Sequence, residues 1–200
     1  MGQIKSALEI ALERTADIKS DARAGEERKL ANAGKKIASD FMENGDKFAL
    51  KKSLGDFNRD EKDSVLKAAV LLLMTRIQLP LEEADLEILP KLTEGFETLL
   101  PHKGFEQLFA TVGQVFAQYL ASQRQLEQAL EQQFAPKLRQ KEAEIAQRTG
   151  QHMQLLPNQD PDFCQHLERN LSKLREQYDG AIAEIRSRIK QMAEIEDLDE

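Results

Sequence analysis

Residues Val65–Leu79, VLKAAVLLLMTRIQL, hold the longest unbroken apolar run of the chain, Ala68 through Met74. A run of that length covers every side of a helix at about 100° per residue. A helix that is apolar all round is either buried in protein or crosses a membrane. Crossing takes roughly 20 mainly apolar residues. Here Lys67 and Arg76 bracket the run, and Asp60, Glu61, Lys62 and Asp63 crowd its front. A short apolar run is also compatible with a buried strand. Leu, Ala and Met outnumber β-branched residues, however, and Asn58 followed three places on by Glu61 forms a helix-start signature. Pro80 stops the pattern, since it cannot donate to the helix ladder and restricts Leu79 before it. The spacing predicts a buried helix over about 59–79. Arg76 then lies near its C-terminal end, where a cation suits the helix dipole and can extend to water.

Composition points the same way. With 200 residues the chain has room for one domain or two small ones with a real core. Lys plus Arg total 28 against 35 Asp plus Glu, a net charge of −7. That balance disfavours general polyanion binding, which needs clustered positive charge. Gly at 10 and Pro at 6 are few for a β protein with many tight turns. The one cysteine, Cys164, cannot form an intramolecular disulfide and fits a reducing compartment. No apolar secretory segment is visible at the N-terminus. Met1-Gly2-Gln3-Ile4-Lys5-Ser6 fits the myristoylation pattern, but the pattern is short, and a helix start explains the same residues. The expectation is an all-α cytoplasmic protein with no integral membrane segment and no nucleic-acid partner.

Taken in order, Ile4, Leu8, Ala11, Thr15, Ile18 and Ala22 form a narrow seam, of the kind that contacts one partner helix. Gly25 is expected to end or bend that helix. Leu30, Ala33, Ile37 and Phe41 predict a second one, closed by Asn44-Gly45 in a left-handed cap. Asp46–Leu54 reads as a short helix capped in the same way by Gly55. After Pro80, Leu81–Leu89 and Pro90–Leu100 read as two short helices with early prolines. Their carboxylates form a solvated acidic face, not a metal site, because no Glu-x-x-His pair and no EF-hand loop occur. Gly95-Phe96-Glu97 and Gly104-Phe105-Glu106 look alike, but their nine-residue offset matches no solenoid period. The sequence offers no reason for it beyond coincidence.

Phe105–Ala121 carries a broad apolar face, with Ala110, Gly113, Ala117 and Ala121 as a small-residue stripe beside it that is expected to allow close approach of a neighbour. It predicts a second buried helix, about 105–121, whose obvious neighbour is the opening stretch. The pattern then thins to Leu126, Leu130, Phe134, Leu138 and Ile145, and Pro136 must kink or restart the helix. Residues 149–160, TGQHMQLLPNQD, are a break. Asp160-Pro161 then opens a last helix with a capping residue and a first-turn proline. Phe163, Leu167, Leu171, Leu174, Tyr178, Ile182, Ile185, Ile189 and Met192 run along one stripe of it. The expected architecture is a helical-bundle head over 1–121 and a long protruding antiparallel helical hairpin over 122–200, or else one continuous domain.

Chemistry is sparse. Cys164 and His166 are two apart and point to different sides of a helix, so they cannot share an ion. Cys164 reads as a semi-buried structural residue. No phosphate loop, dinucleotide fingerprint or nucleophile elbow is present. No catalytic residue, metal or cofactor is assigned. The preferred expectation is a non-enzymatic helical assembly or adaptor protein, self-associating or bound to another helical protein. Its candidate contacts are Ile4, Leu8 and Ile18 on the first seam and Met153, Leu155 and Leu156 at the break. The alternative is an enzyme or small-ligand binder with a pocket between the buried helices, lined by Arg76, His102 and Tyr119.

Overall fold

The computed structural model describes the backbone of residues 7–195 and the side chains of residues 23–195. Six α-helices account for most of it: α1 Ala7–Asn44, α2 Lys47–Gly55, α3 Arg59–Thr75, α4 Ile88–Leu99, α5 Phe105–Thr149 and α6 Pro161–Met192. Short 3-10 turns at Glu83–Glu87 and Pro157–Gln159 complete the set, and no strand occurs among the described residues. The all-α class read from composition holds. No helix among the described residues is long and apolar enough to cross a membrane.

The chain divides into two compact units. Among the described residues, the first gathers those up to Arg76, Pro90–Phe105 and those from Lys190 on; the second gathers Ile77–Leu89 and Glu106–Ile189. In the first unit α1 and α3 pack closely, and a glycine sets the distance. A Cβ added to Gly34 would sit 2.2 Å from the carbonyl oxygen of Val65 and 2.9 Å from Cβ of Ala68. Gly95 plays the same part for α4. A Cβ there would meet the Phe41 ring at 2.7 Å and Leu73 at 3.1 Å. Phe41, Val65, Leu73, Leu92 and Phe96 form the buried interior around these approaches.

Asn58 begins α3 as its spacing predicts. Its side chain accepts the N–H groups of Asp60 and Glu61, and Glu61 accepts from the Asn58 N–H in return. The helix is buried through Val65, Ala68, Ala69, Val70, Leu73 and Met74. It is not buried all round, because Lys67, Leu71 and Thr75, four apart on one line, face outward. It also ends at Thr75 with Arg76 as its cap, before the expected Leu79.

Two glycines behave differently from expectation. Gly25 does not end a helix, since α1 runs unbroken through it. A mid-helix glycine costs only about 1 kcal/mol against alanine, which a helix of 38 residues tolerates. Gly55 closes α2 without entering the left-handed region, which Gly45 does occupy at φ 70°. The look-alike motifs, by contrast, meet. The rings of Phe96 and Phe105 stack with centroids 5.1 Å apart, and Glu97 accepts the backbone N–H of Phe105 at 2.8 Å. The α4 motif thereby caps the helix that the second motif opens, satisfying one of its four free N–H groups.

In the second unit α5 and α6 run antiparallel. Tyr119 lies edge-on to Tyr178 at 5.2 Å, and Ser122 hydrogen-bonds the Tyr178 hydroxyl at 3.3 Å. Further along, Phe134 stands edge-on to Phe163 at 5.5 Å within a cluster that includes Leu126, Leu130 and Leu167. The helix α5 continues through Pro136 without restarting. The proline is exposed there, so water can take the carbonyl that loses its donor. The small-residue stripe does not mark a close approach, because Ala110, Ala117 and Ala121 face solvent. Only Gly113 of that group meets a neighbour, with Leu89 at 3.6 Å from an added Cβ. The buried face is instead built by Leu108, Phe109, Val112, Phe116, Tyr119 and Leu120.

Candidate interaction surface at the α5–α6 connection

Residues 150–160 join α5 to α6, and side chains fix their path. Gly150 leaves α5 in the left-handed region, φ 71°, with its N–H on the carbonyl of Ala146. Glu142, one turn or more back on α5, accepts the N–H of Leu155 at 2.7 Å. Gln159 accepts the N–H of Leu156 at 3.1 Å. These bonds answer backbone donors that a loop would otherwise leave to water.

Asp160 closes the connection. It is the buried charged residue of the described chain, 4% exposed. One carboxylate oxygen accepts the N–H groups of Asp162 and Phe163, at 2.9 and 3.1 Å, capping α6. The other accepts from Lys141 of α5. Lys137, one turn earlier, pairs with Asp162 at 2.6 Å. The Lys141 hydrogen bond, followed by that from the Phe163 N–H, holds the Asp160 carboxyl below the usual carboxylate range. Asp160 in turn raises Lys141 above its ordinary value. Both acids also sit at a helix N-terminus, where the dipole favours negative charge.

On this braced connection two large apolar side chains stay open, Met153 at 53% and Leu156 at 51% exposure. Leu155 between them is half-buried. Met153 borders a cleft of about 810 Å³ floored by Ala143 and Ala146 of α5 and edged by Arg139 and His152. Leu156 borders a second cleft of about 360 Å³, shared with Glu127, Glu131, Phe163 and Leu167.

The other residues singled out from the sequence fall elsewhere. Ile4 lies outside the described residues, and Leu8 and Ile18 lie outside those with described side chains. Arg76 is exposed at the end of α3. His102 is exposed in the turn before α5, at φ 66°. Tyr119 belongs to the other unit and is buried against Tyr178. None of the three lines either cleft described above. Cys164 is exposed, not semi-buried as expected, with its thiol 3.3 Å from the carbonyl oxygen of Asn158. It follows Phe163, which takes the buried position, and so lies about 100° round the helix from it. No group of three or more His, Cys, Asp or Glu side chains among the described residues could hold a metal ion. Sequence reasoning recognised Asp160 only as a cap and missed Lys141, whose pairing depends on the register of α5 against α6.

Residues 51–191 match the model of a family of unknown function, DUF6657, so the chain belongs to that family. The matched span takes in α3 to α5 and the whole connection, and begins beyond α1. No curated protein and no solved structure matches the chain.

Proposed function

We propose that this DUF6657 member is a non-enzymatic helical assembly or adaptor protein, acting in the cytoplasm through helix–helix contacts. It self-associates or binds another helical protein through the α5–α6 connection. The observation that carries this reading is the open display of Met153 and Leu156 on a connection braced by Glu142, Gln159 and Asp160. A loop held in place pays little ordering entropy on binding, so exposed apolar side chains there are well suited as anchors. The single cysteine supports a reducing compartment.

Light scattering over a wide concentration range tests self-association. The mass is expected to exceed that of a 22.7 kDa monomer and to return to it in the double variant Met153→Ser, Leu156→Ser. A monomer at every concentration would remove the self-associating form. A larger mass unchanged by the double variant would remove the connection as the contact.

A further inference from the structure

A different face of α6 carries a second feature of the unit formed by Ile77–Leu89 and Glu106–Ile189. Arg175, Asp179, Ile182 and Arg186 recur at intervals of four, three and four, and so share one side of the helix. Facing them is the segment after α3, with Gln78, Leu79 and Leu81. Together they line a cleft of about 460 Å³, within the size of small-molecule sites, roughly 300–1,000 Å³.

Its walls are of two kinds. Leu81 is 72% exposed while Ile182 is buried, so an apolar surface runs from the mouth to the floor. The backbone of Leu81 is held by Asp85, which accepts the N–H groups of Leu81 and Glu82 at 2.7 and 3.1 Å. The polar group at the end of the floor is Arg186. Its Nη2 donates to the carbonyl oxygen of Ile77 at 2.8 Å, but its Nε is buried with no acceptor. Buried donors are nearly always paired, so an orphaned guanidinium N–H beside a cleft calls for an acceptor. A small pivot of the group into the cleft would present its Nε and Nη edge as a planar two-donor fork.

We infer that this cleft binds the carboxylate of a small amphipathic acid. The head lies on the Arg186 fork and the apolar body runs along Ile182, Leu79 and Leu81. Asp179 is about 10 Å along the helix from Arg186 at 1.5 Å per residue, and it disfavours a doubly charged head. With Arg175 on the same face as Asp179 and Arg186, the lining carries two guanidiniums and one carboxylate, a net single positive charge that suits a monoanion. The inference stands apart from the α5–α6 connection, which lines none of this cleft.

Calorimetric titration of the full chain with octanoate tests it, with acetate and inorganic phosphate as comparisons. Octanoate is expected to bind saturably, at least tenfold more tightly than either comparison. Arg186→Lys, which keeps the charge and loses the fork, is expected to weaken octanoate at least tenfold. Leu81→Ser, on an exposed side chain, should weaken it several-fold and decides the matter if the lysine variant fails to fold. No saturable heat with octanoate would overturn the inference. So would phosphate binding as tightly, or unchanged affinity in Leu81→Ser.

Discussion

Lys141 of α5 donates to the same buried carboxylate, that of Asp160, whose other oxygen caps α6. One side chain therefore starts a helix and ties it to its antiparallel neighbour. Cutting the tie from the two ends should not cost the same. Lys141→Met leaves a buried carboxylate with its cap bonds but no cation, whereas Asp160→Asn keeps an oxygen for the cap and removes the buried charge. The lysine variant is expected to melt lower than the asparagine variant, and the double variant to recover part of the difference. Thermal melts of the four proteins in a double-mutant cycle measure this coupling.

The same pair sets a pH signature. The Asp160 carboxyl is held below its unfolded value, so it contributes stability above the ordinary carboxylate range. That contribution is lost as pH falls through its depressed folded value. Lys141 is raised above its unfolded value, so its share is present below that value and lost as pH rises through the folded one. Asp162, lowered chiefly by Lys137, adds to the acid limb. Urea midpoints measured from neutral pH downward should fall in the wild type and fall less steeply in Asp160→Asn. At strongly alkaline pH the wild type should also lose stability that Lys141→Met lacks.

Gly34 and Gly25 predict opposite responses to one methyl group. At Gly34 the added carbon meets a backbone carbonyl, so Gly34→Ala forces α1 and α3 apart. Overpacking of this kind costs about 1–3 kcal/mol. At Gly25 nothing lies within 4 Å and the residue is helical, so Gly25→Ala should stabilise by about 0.5–1 kcal/mol. Denaturant unfolding of both variants checks the signs. A destabilising Gly25→Ala would contradict the continuous helix α1.

Pro136 sits inside α5 with an exposed side chain. Pro136→Ala restores the missing N–H and relieves the clash one turn back without emptying the core. The expected gain is up to about 3 kcal/mol, read from the same denaturant midpoints. A loss of stability would mean that the proline sets a bend the packing of α5 depends on.

Local signals in the sequence proved the most legible. Asn58 and Glu61 mark the start of α3 because their partners are three residues away. Asp160-Pro161 marks the start of α6 for the same reason. Distances that depend on tertiary register were not legible. Lys141 is one cation among many on α5, and nothing near it in sequence shows that Asp160, 19 residues on, returns beside it. The resemblance of Gly95-Phe96-Glu97 to Gly104-Phe105-Glu106 carried meaning only once the turn between them brought Glu97 to the N–H of Phe105. Gly25 does not break α1, because a long helix tolerates a glycine at modest cost. Arg186 could not be singled out, since its missing acceptor is a property of burial.

Chain length is constrained where α5 and α6 are bridged. From Ser122 to Lys141 the chain advances 19 positions, and from Asp160 to Tyr178 it returns 18, so the two bridges lie at matching heights. A single-residue insertion in either helix between those bridges would turn everything beyond it by about 100° and break one of them. Insertions and deletions during the divergence of this family should therefore collect in residues 150–156, outside both helices. Within the bridged span a length change in one helix should be accompanied by an equal change in the other.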